Sequence, residues 1–208
     1  MKRASGSTSN PWFQTIVGLV LVALSLLGVI HGVRAGVAQC LYREAKYGPQ
    51  SADTDHVVDL CRRAYAWYPW NHYFSILASE QAYYTADAVT GIARRNRLLQ
   101  AQFWCDRGLV QNPWRSQLRR LHTRFLWAES PSRAIRYWEA HTAWQFWEPY
   151  NHAVLAELYA KAGEFDKAEQ ALKWVQGAPE YEPTKTLVLA EKAAWNSALN
   201  GKLEGWGE

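Results

Sequence analysis

Apolar and charged positions are unevenly distributed along this chain. Residues 4–33 contain no Asp, Glu, Lys or Arg, and within that gap Trp12–Val33 is dominated by Val, Leu, Ile, Gly and Ala. At the α-helical rise this stretch reaches about 33 Å, enough to cross the hydrocarbon core of a bilayer. The pattern predicts a tail at 1–11, then a transmembrane helix with its extension over 12–47. Pro11 suits a helix start, and Trp12 and Phe13 stand where amphipathic rings settle at a membrane interface. A cleaved signal peptide is the competing reading. Lys2 and Arg3 would form its basic region, with Val33-Arg34-Ala35 or Gly36-Val37-Ala38 as the cleavage site. The length of the apolar stretch favours the uncleaved anchor.

Beyond the gap the pattern stays helical through "LYREAKYG" until Gly48-Pro49 breaks it. Residues 48–56 read as a linker in which Asp53 or Asp55 caps the next helix. From there the punctuation recurs. Pro69-Trp70, Pro113-Trp114, Pro149-Tyr150 and Pro183 each follow one helical pattern and open another, the prolines being 44, 36 and 34 residues apart. Proline stops a helix but is tolerated in the first turn of the next, so each interval predicts a helical hairpin. Between Pro149 and Pro183, Ala153, Leu155, Ala156, Leu158, Tyr159 and Ala162 form one inward face ending at Gly163. Asp166 then caps a second helix facing inward through Ala168, Ala171, Leu172 and Val175. A helix over 184–200 closes the array, leaving 201–208 as a tail.

At "NHAVLAELYAKAGEFDKAEQALKWV" the chain resembles a tetratricopeptide repeat of the membrane-anchored bacterial type. The likeness rests on Ala156 and Tyr159, the Gly163 turn, Phe165, then Ala168 and Leu172. It is strong in the last third of 57–198 and weak before it, where Ser130-Pro131-Ser132 replaces the glycine turn. The resemblance implies an all-α fold, a single N-terminal transmembrane helix followed by a short α-solenoid of antiparallel hairpins over 57–200. It also implies a protein partner on the helical repeats, with no catalytic residues to carry over.

The span carries a finer signal. Gly28, Gly32 and Gly36 recur every four residues, with Ser25 roughly in line. Close backbone approach across small residues is a common way for membrane helices to associate, so this face predicts an integral membrane partner. Charge adds another. Residues 94–136 hold ten arginines against Asp106 and Glu129, a balance of +8, whereas 148–208 balance at −4. Arg115, Arg119, Arg120 and Arg124 are read as one helical stripe. It is either a solvated face or a site for an acidic protein, lipid headgroups or, last in rank, nucleic acid.

Twelve Trp and eleven Tyr beside one Met make aromatic packing prominent. Trp104, Trp127, Trp138 and Trp144 lie in helical patterns and are expected in the core, while Trp70 and Trp114 are expected to staple neighbouring hairpins. Exposed Trp faces would instead suit a glycan-binding or polysaccharide-assembly module. His72 and His152 occupy equivalent places after their prolines, and Cys40, Cys61 and Cys105 read as ordinary buried thiols. No catalytic motif, metal-ligand set or cofactor loop is present, so neither enzyme, metal nor cofactor is expected. The expectation is a single-pass bacterial inner-membrane scaffold or accessory subunit, with its C-terminal domain extracytoplasmic because a short basic N-tail stays inside.

Overall fold

The structure is a computed structural model that describes residues 11–204, with side chains described over 12–198. The N-terminal tail, with the Lys2 and Arg3 of the orientation argument, lies outside the described residues, as do residues 205–208 of the C-terminal tail. The described chain is all-α. It comprises α1 (Pro11–Tyr47), α2 (Thr54–Trp67), α3 (Tyr73–Tyr84), a 3-10 turn (Ala86–Ala88), α4 (Gly91–Gln111), α5 (Ser116–Glu129), α6 (Pro131–Trp144), α7 (Pro149–Lys161), α8 (Phe165–Lys173) and α9 (Tyr181–Glu204). Consecutive helices pack as pairs, and the chain divides into two compact units at Asn112/Pro113.

In the first unit α1 changes character along its length. Its outer part, 12–33, is exposed throughout. Ala38 and Ala45, two turns apart on one face, are fully buried, and Tyr42 packs against Phe74 with ring centroids 5.6 Å apart. Small side chains at 38 and 45 let α2 lie close along this end of α1. The segment read as a linker is a tight reversal over 48–53, and α2 begins at Thr54. Asp53 is the cap: its carboxylate accepts from the amides of Asp55 at 3.0 Å and His56 at 3.3 Å. The Thr54 hydroxyl meets that of Thr85 at 2.9 Å, and Ser75 Oγ donates to Gln111 Oε1 at 3.4 Å. These contacts set α2, α3 and α4 antiparallel in turn. Val57, Cys61, Ala64, Phe74, Ala78, Ala101 and Trp104 fill the space between them.

The second unit is built around α7, which touches α6, α8 and α9. Nine of its thirteen residues are buried, so almost no side of this helix is polar. Trp138, Ile135, Val154, Leu158, Ala168 and Val188 share the core. Gly163 ends α7 at φ +78°, with its amide and that of Glu164 returning to the Ala160 and Tyr159 carbonyls at 3.0 and 2.9 Å.

Three local expectations are corrected. Asp166 does not cap α8; the helix already starts at Phe165, and Asp166 sits in its first turn near the positive end of the dipole. Pro69 and Pro113 end one helix without opening the next, because each lies in a turn three or four residues before α3 and α5. Pro183 falls inside the first turn of α9, which starts at Tyr181 and runs on to Glu204, into the segment read as a tail. Pro149 alone of the four stands at a helix's first position.

Candidate functional site

On α1, Gly28, Gly32 and Gly36 face open space, since a Cβ added at any of them would meet nothing within 4 Å. At about 100° per residue, Gly32 lies roughly 120° around the helix from the buried Ala38. The glycine face and the face that packs on α2 are therefore different sides of one helix. Ser25 offers less than expected. Its hydroxyl donates to the Leu21 carbonyl at 2.8 Å, one turn back in its own helix.

The four arginines do not form one stripe. Arg115 precedes α5 and its Nε donates to Gln117 Oε1 at 2.9 Å. Arg119 turns toward α6: its Nε donates to the Pro113 carbonyl, and its guanidinium lies 5.5 Å from the ring centroids of Trp114 and Tyr137. Arg120 turns the other way, donating to the Tyr150 hydroxyl at 3.0 Å and to Glu157 Oε2 at 2.8 Å on α7. Residues 119 and 120 diverge by about 100°, so the pair serves two faces. Arg124 is half-buried one turn on. Elsewhere in the arginine-rich section, Arg94 pairs with Asp87, Arg97 with Asp55 and Arg133 with Glu129, while Arg107 stacks on Tyr65 at 4.3 Å. Much of the +8 charge is thus spent on internal contacts.

Of the junction residues, Tyr150 receives Arg120 and borders a groove of about 360 Å³ with Glu157, Pro179 and Pro183. The Pro69 carbonyl accepts from Gln111 Nε2, fixing the α2–α3 turn to the end of α4. Trp70 staples nothing; it is 77% exposed. Trp114 stacks on Trp144 with centroids 5.0 Å apart and planes 21° apart, which joins the two ends of the α5–α6 hairpin and not two neighbouring hairpins.

Trp104 and Trp138 are buried as expected, but Trp144 is exposed. It ends α6, where the helix runs out from under its neighbours. With it on the α6–α7 turn stand Phe146 and Trp147, both more than half exposed. Trp174 is exposed beside them and stacks on His152 at 5.2 Å. Buried polar groups hold this turn rigidly. Asn151 Nδ2 donates to the Gln145 carbonyl at 3.2 Å, His152 Nε2 to the Phe146 carbonyl at 2.6 Å, and Trp138 Nε1 to the Asn151 carbonyl at 2.9 Å. The result is an end of the second unit carrying Trp114, Trp144, Phe146, Trp147 and Trp174. The run Trp144-Gln145-Phe146-Trp147 was the signal for it: three large aromatics in four residues at a helix's end cannot all face one core.

His72 and His152 both serve as junction residues. His72 stacks on Tyr73 at 4.5 Å and lies 3.4 Å from Asn112 Nδ2. Among the cysteines, Cys61 and Cys105 are buried but Cys40 is exposed, against expectation, because it falls on a side of α1 that α2 leaves uncovered. Burial pushes the Cys61 thiol pKa up to about 12, which leaves it protonated and unreactive. No family model, curated protein or solved structure matches this chain.

Proposed function

We propose that this protein is a membrane-anchored, non-catalytic accessory subunit whose tetratricopeptide-like helical hairpins position a protein partner within a membrane or cell-envelope complex. The observation that carries the reading is the aromatic end of the second unit. Its rings are exposed although the turn beneath them is held by hydrogen bonds from the buried Asn151 and His152. A soluble surface of that kind is costly in water and marks a place where another surface belongs; Trp is the residue type most enriched at binding hot spots. In this reading α1 spans the inner membrane of a bacterium, its glycine face receives a helix of an integral membrane protein, and the hairpins lie on the extracytoplasmic side. The groove beside Arg120, Tyr150 and Glu157 is open to solvent, and Arg120 and Glu157 are already paired with each other, so it makes no case for a small-molecule substrate.

Purification of the full chain from its native membranes in mild detergent, followed by mass spectrometry, tests this. The intact anchor and a stoichiometric membrane-protein partner are expected, with the partner's yield falling at least tenfold in Trp144→Ser/Trp147→Ser. From a saturated complex that fall needs more than the tenfold rise in Kd that about 1.4 kcal/mol supplies, and the loss of two hot-spot rings is enough for it. Recovery of the wild-type chain only as a monomer overturns the subunit reading. The exposed Trp faces also suit stacking on sugar rings. Displacement of the partner by soluble polysaccharide, with a change in tryptophan fluorescence, would favour a glycan-handling module instead.

A further inference from the structure

The first unit is tied to α1 with no flexible joint, and this fixes how deep one of its turns must lie. The α1 helix is unbroken over Pro11–Tyr47. Its charge-free stretch ends at Arg34, and at that level the α2–α3 turn is fastened to it. Arg34 Nε donates to the Trp67 carbonyl at 2.9 Å. The Tyr68 hydroxyl lies 3.2 Å from His31 Nε2, with the two rings edge to face at 5.1 Å. The end of α4 is fastened to the same turn through Gln111 and the Pro69 carbonyl. One end of the unit therefore sits where α1 changes from apolar to charged.

The residues at that end match the depth. Between Ala64 and Ser75 there is no acidic residue, and Trp67, Tyr68, Trp70, His72 and Tyr73 crowd the turn. Trp67 and Tyr73 are exposed, Trp70 is 77% exposed, and Val110 on the last turn of α4 is 86% exposed. A groove of about 410 Å³ runs from Pro69 between Tyr65 and Trp104, with Arg62 and Arg107 on its rim. Amphipathic aromatic rings with basic groups behind them make up the interfacial belt of membrane proteins.

We infer that this end of the first unit is a membrane-seating surface, with Trp67, Trp70 and Val110 lying in the headgroup layer of the bilayer that α1 crosses and Arg34 and Arg107 facing lipid phosphates. The inference rests on α1 being a membrane span. A span of about 33 Å leaves Arg34 at the edge of the hydrocarbon, and each headgroup layer adds about 5 to 8 Å. The turn bonded to Arg34 and His31 falls inside that layer. The aromatic cluster is thus shielded by lipid without any protein partner.

Spin-label depth measurement on the full-length chain separates the inference from its premise. The label is placed at Trp70→Cys, Val110→Cys, Leu24→Cys or Ala52→Cys in a Cys40→Ser background, and the protein is reconstituted alone in phosphatidylcholine vesicles containing phosphatidylglycerol. Ala52 is exposed in the reversal at the opposite end of the unit; α2 alone separates the two ends by about 20 Å. Expected is a deep, oxygen-accessible label at 24, a water-accessible label at 52, and labels at 70 and 110 that lose most of their accessibility to an aqueous nickel relaxant. The exposed Val110 position keeps the test valid if the change at Trp70 perturbs the turn. Labels at 70 and 110 as accessible as that at 52, with 24 still deep, overturn the seating surface and leave the span intact. A water-accessible label at 24 overturns the span and the seating surface together.

Discussion

His141 occupies an unusual place for a titratable ring. It is 2% exposed, lies edge to face with Trp138 at 5.1 Å, and neither ring nitrogen finds a partner among the described residues. Burial, with the nearby Arg119 charge adding to it, lowers its pKa from 6.5 to about 4. The fold therefore holds the neutral ring. Its contribution to stability is complete above about pH 6.5 and is lost as pH falls toward 4, at up to about 1.4 kcal/mol per unit. Thermal melts of the full chain in detergent should show a midpoint that drops between about pH 7 and pH 5. His141→Leu, which removes the titration and two unpaired nitrogens, should flatten that drop without loss at neutral pH. An unchanged slope in the variant would place the acid sensitivity elsewhere. Gly163 presents a backbone demand instead. Its φ of +78° lies in the left-handed region, and a Cβ there would meet the Trp195 ring at 2.9 Å. Gly163→Ala should cost about 1 to 2 kcal/mol through the backbone alone, read as a lower melting midpoint with faster amide exchange in α8.

Single helices in this protein carry two jobs, and α1 does so most plainly. One face docks on α2 through Ala38 and Ala45, and another leaves Gly28, Gly32 and Gly36 open. Because a Cβ added at those glycines meets nothing within 4 Å, Gly32→Leu should fold as well as the parent or slightly better, by up to about 1 kcal/mol of helix propensity. Loss of a co-purifying membrane protein in that variant would then report the helix face itself. Retention of the partner at parental yield would remove the glycine face from the binding surface. How far each element was legible in sequence follows from the same division of faces. A charge-free run needs no period to be seen, so α1 was readable throughout its outer part. The turn at Gly163 was readable because glycine is the residue type that most readily adopts the left-handed φ that ends a helix. The interior of α7 was readable residue by residue, but its centrality was not: burial on nearly every side erases the polar face that orients a helix. Trp138 and Trp144 share one helix and one residue type, yet one is buried and the other exposed. They stand six positions apart, about 120° around the axis, and the second is the last residue of α6. Sequence pattern does not fix where a helix ends relative to its neighbours, so Trp144 was misread as core. The arginine stripe failed by the same geometry, a shift of one position turning Arg119 and Arg120 to different neighbours.

At the scale of the whole molecule, each compact unit closes its own core. The proline punctuation suggested one array over 57–200. The packing groups α1 with α2–α4 up to Asn112 and α5–α9 from Pro113 onward, because the second half of α1 supplies a face that the first hairpin buries. Trp138 tests what this division means for folding. It is fully buried, packs in the cluster with Val154, Leu158 and Val188, and its indole donates to the Asn151 carbonyl. Trp138→Ala should cost about 3 to 5 kcal/mol, the range for emptying a large core site. That is a large share of the 5–15 kcal/mol typical of a domain. The backbone of Asn151 also loses its donor, and with it the support beneath the α6–α7 turn. Hydrogen exchange followed by mass spectrometry on the full chain should then show protection falling across α5–α9 while the amides of α2–α4 exchange as slowly as before. A fall shared equally by both segments would make the chain one cooperative body. Protection lost only in the second unit, together with loss of the co-purified partner and an unchanged label depth at Val110, would assign partner binding to α5–α9 and membrane seating to α1–α4.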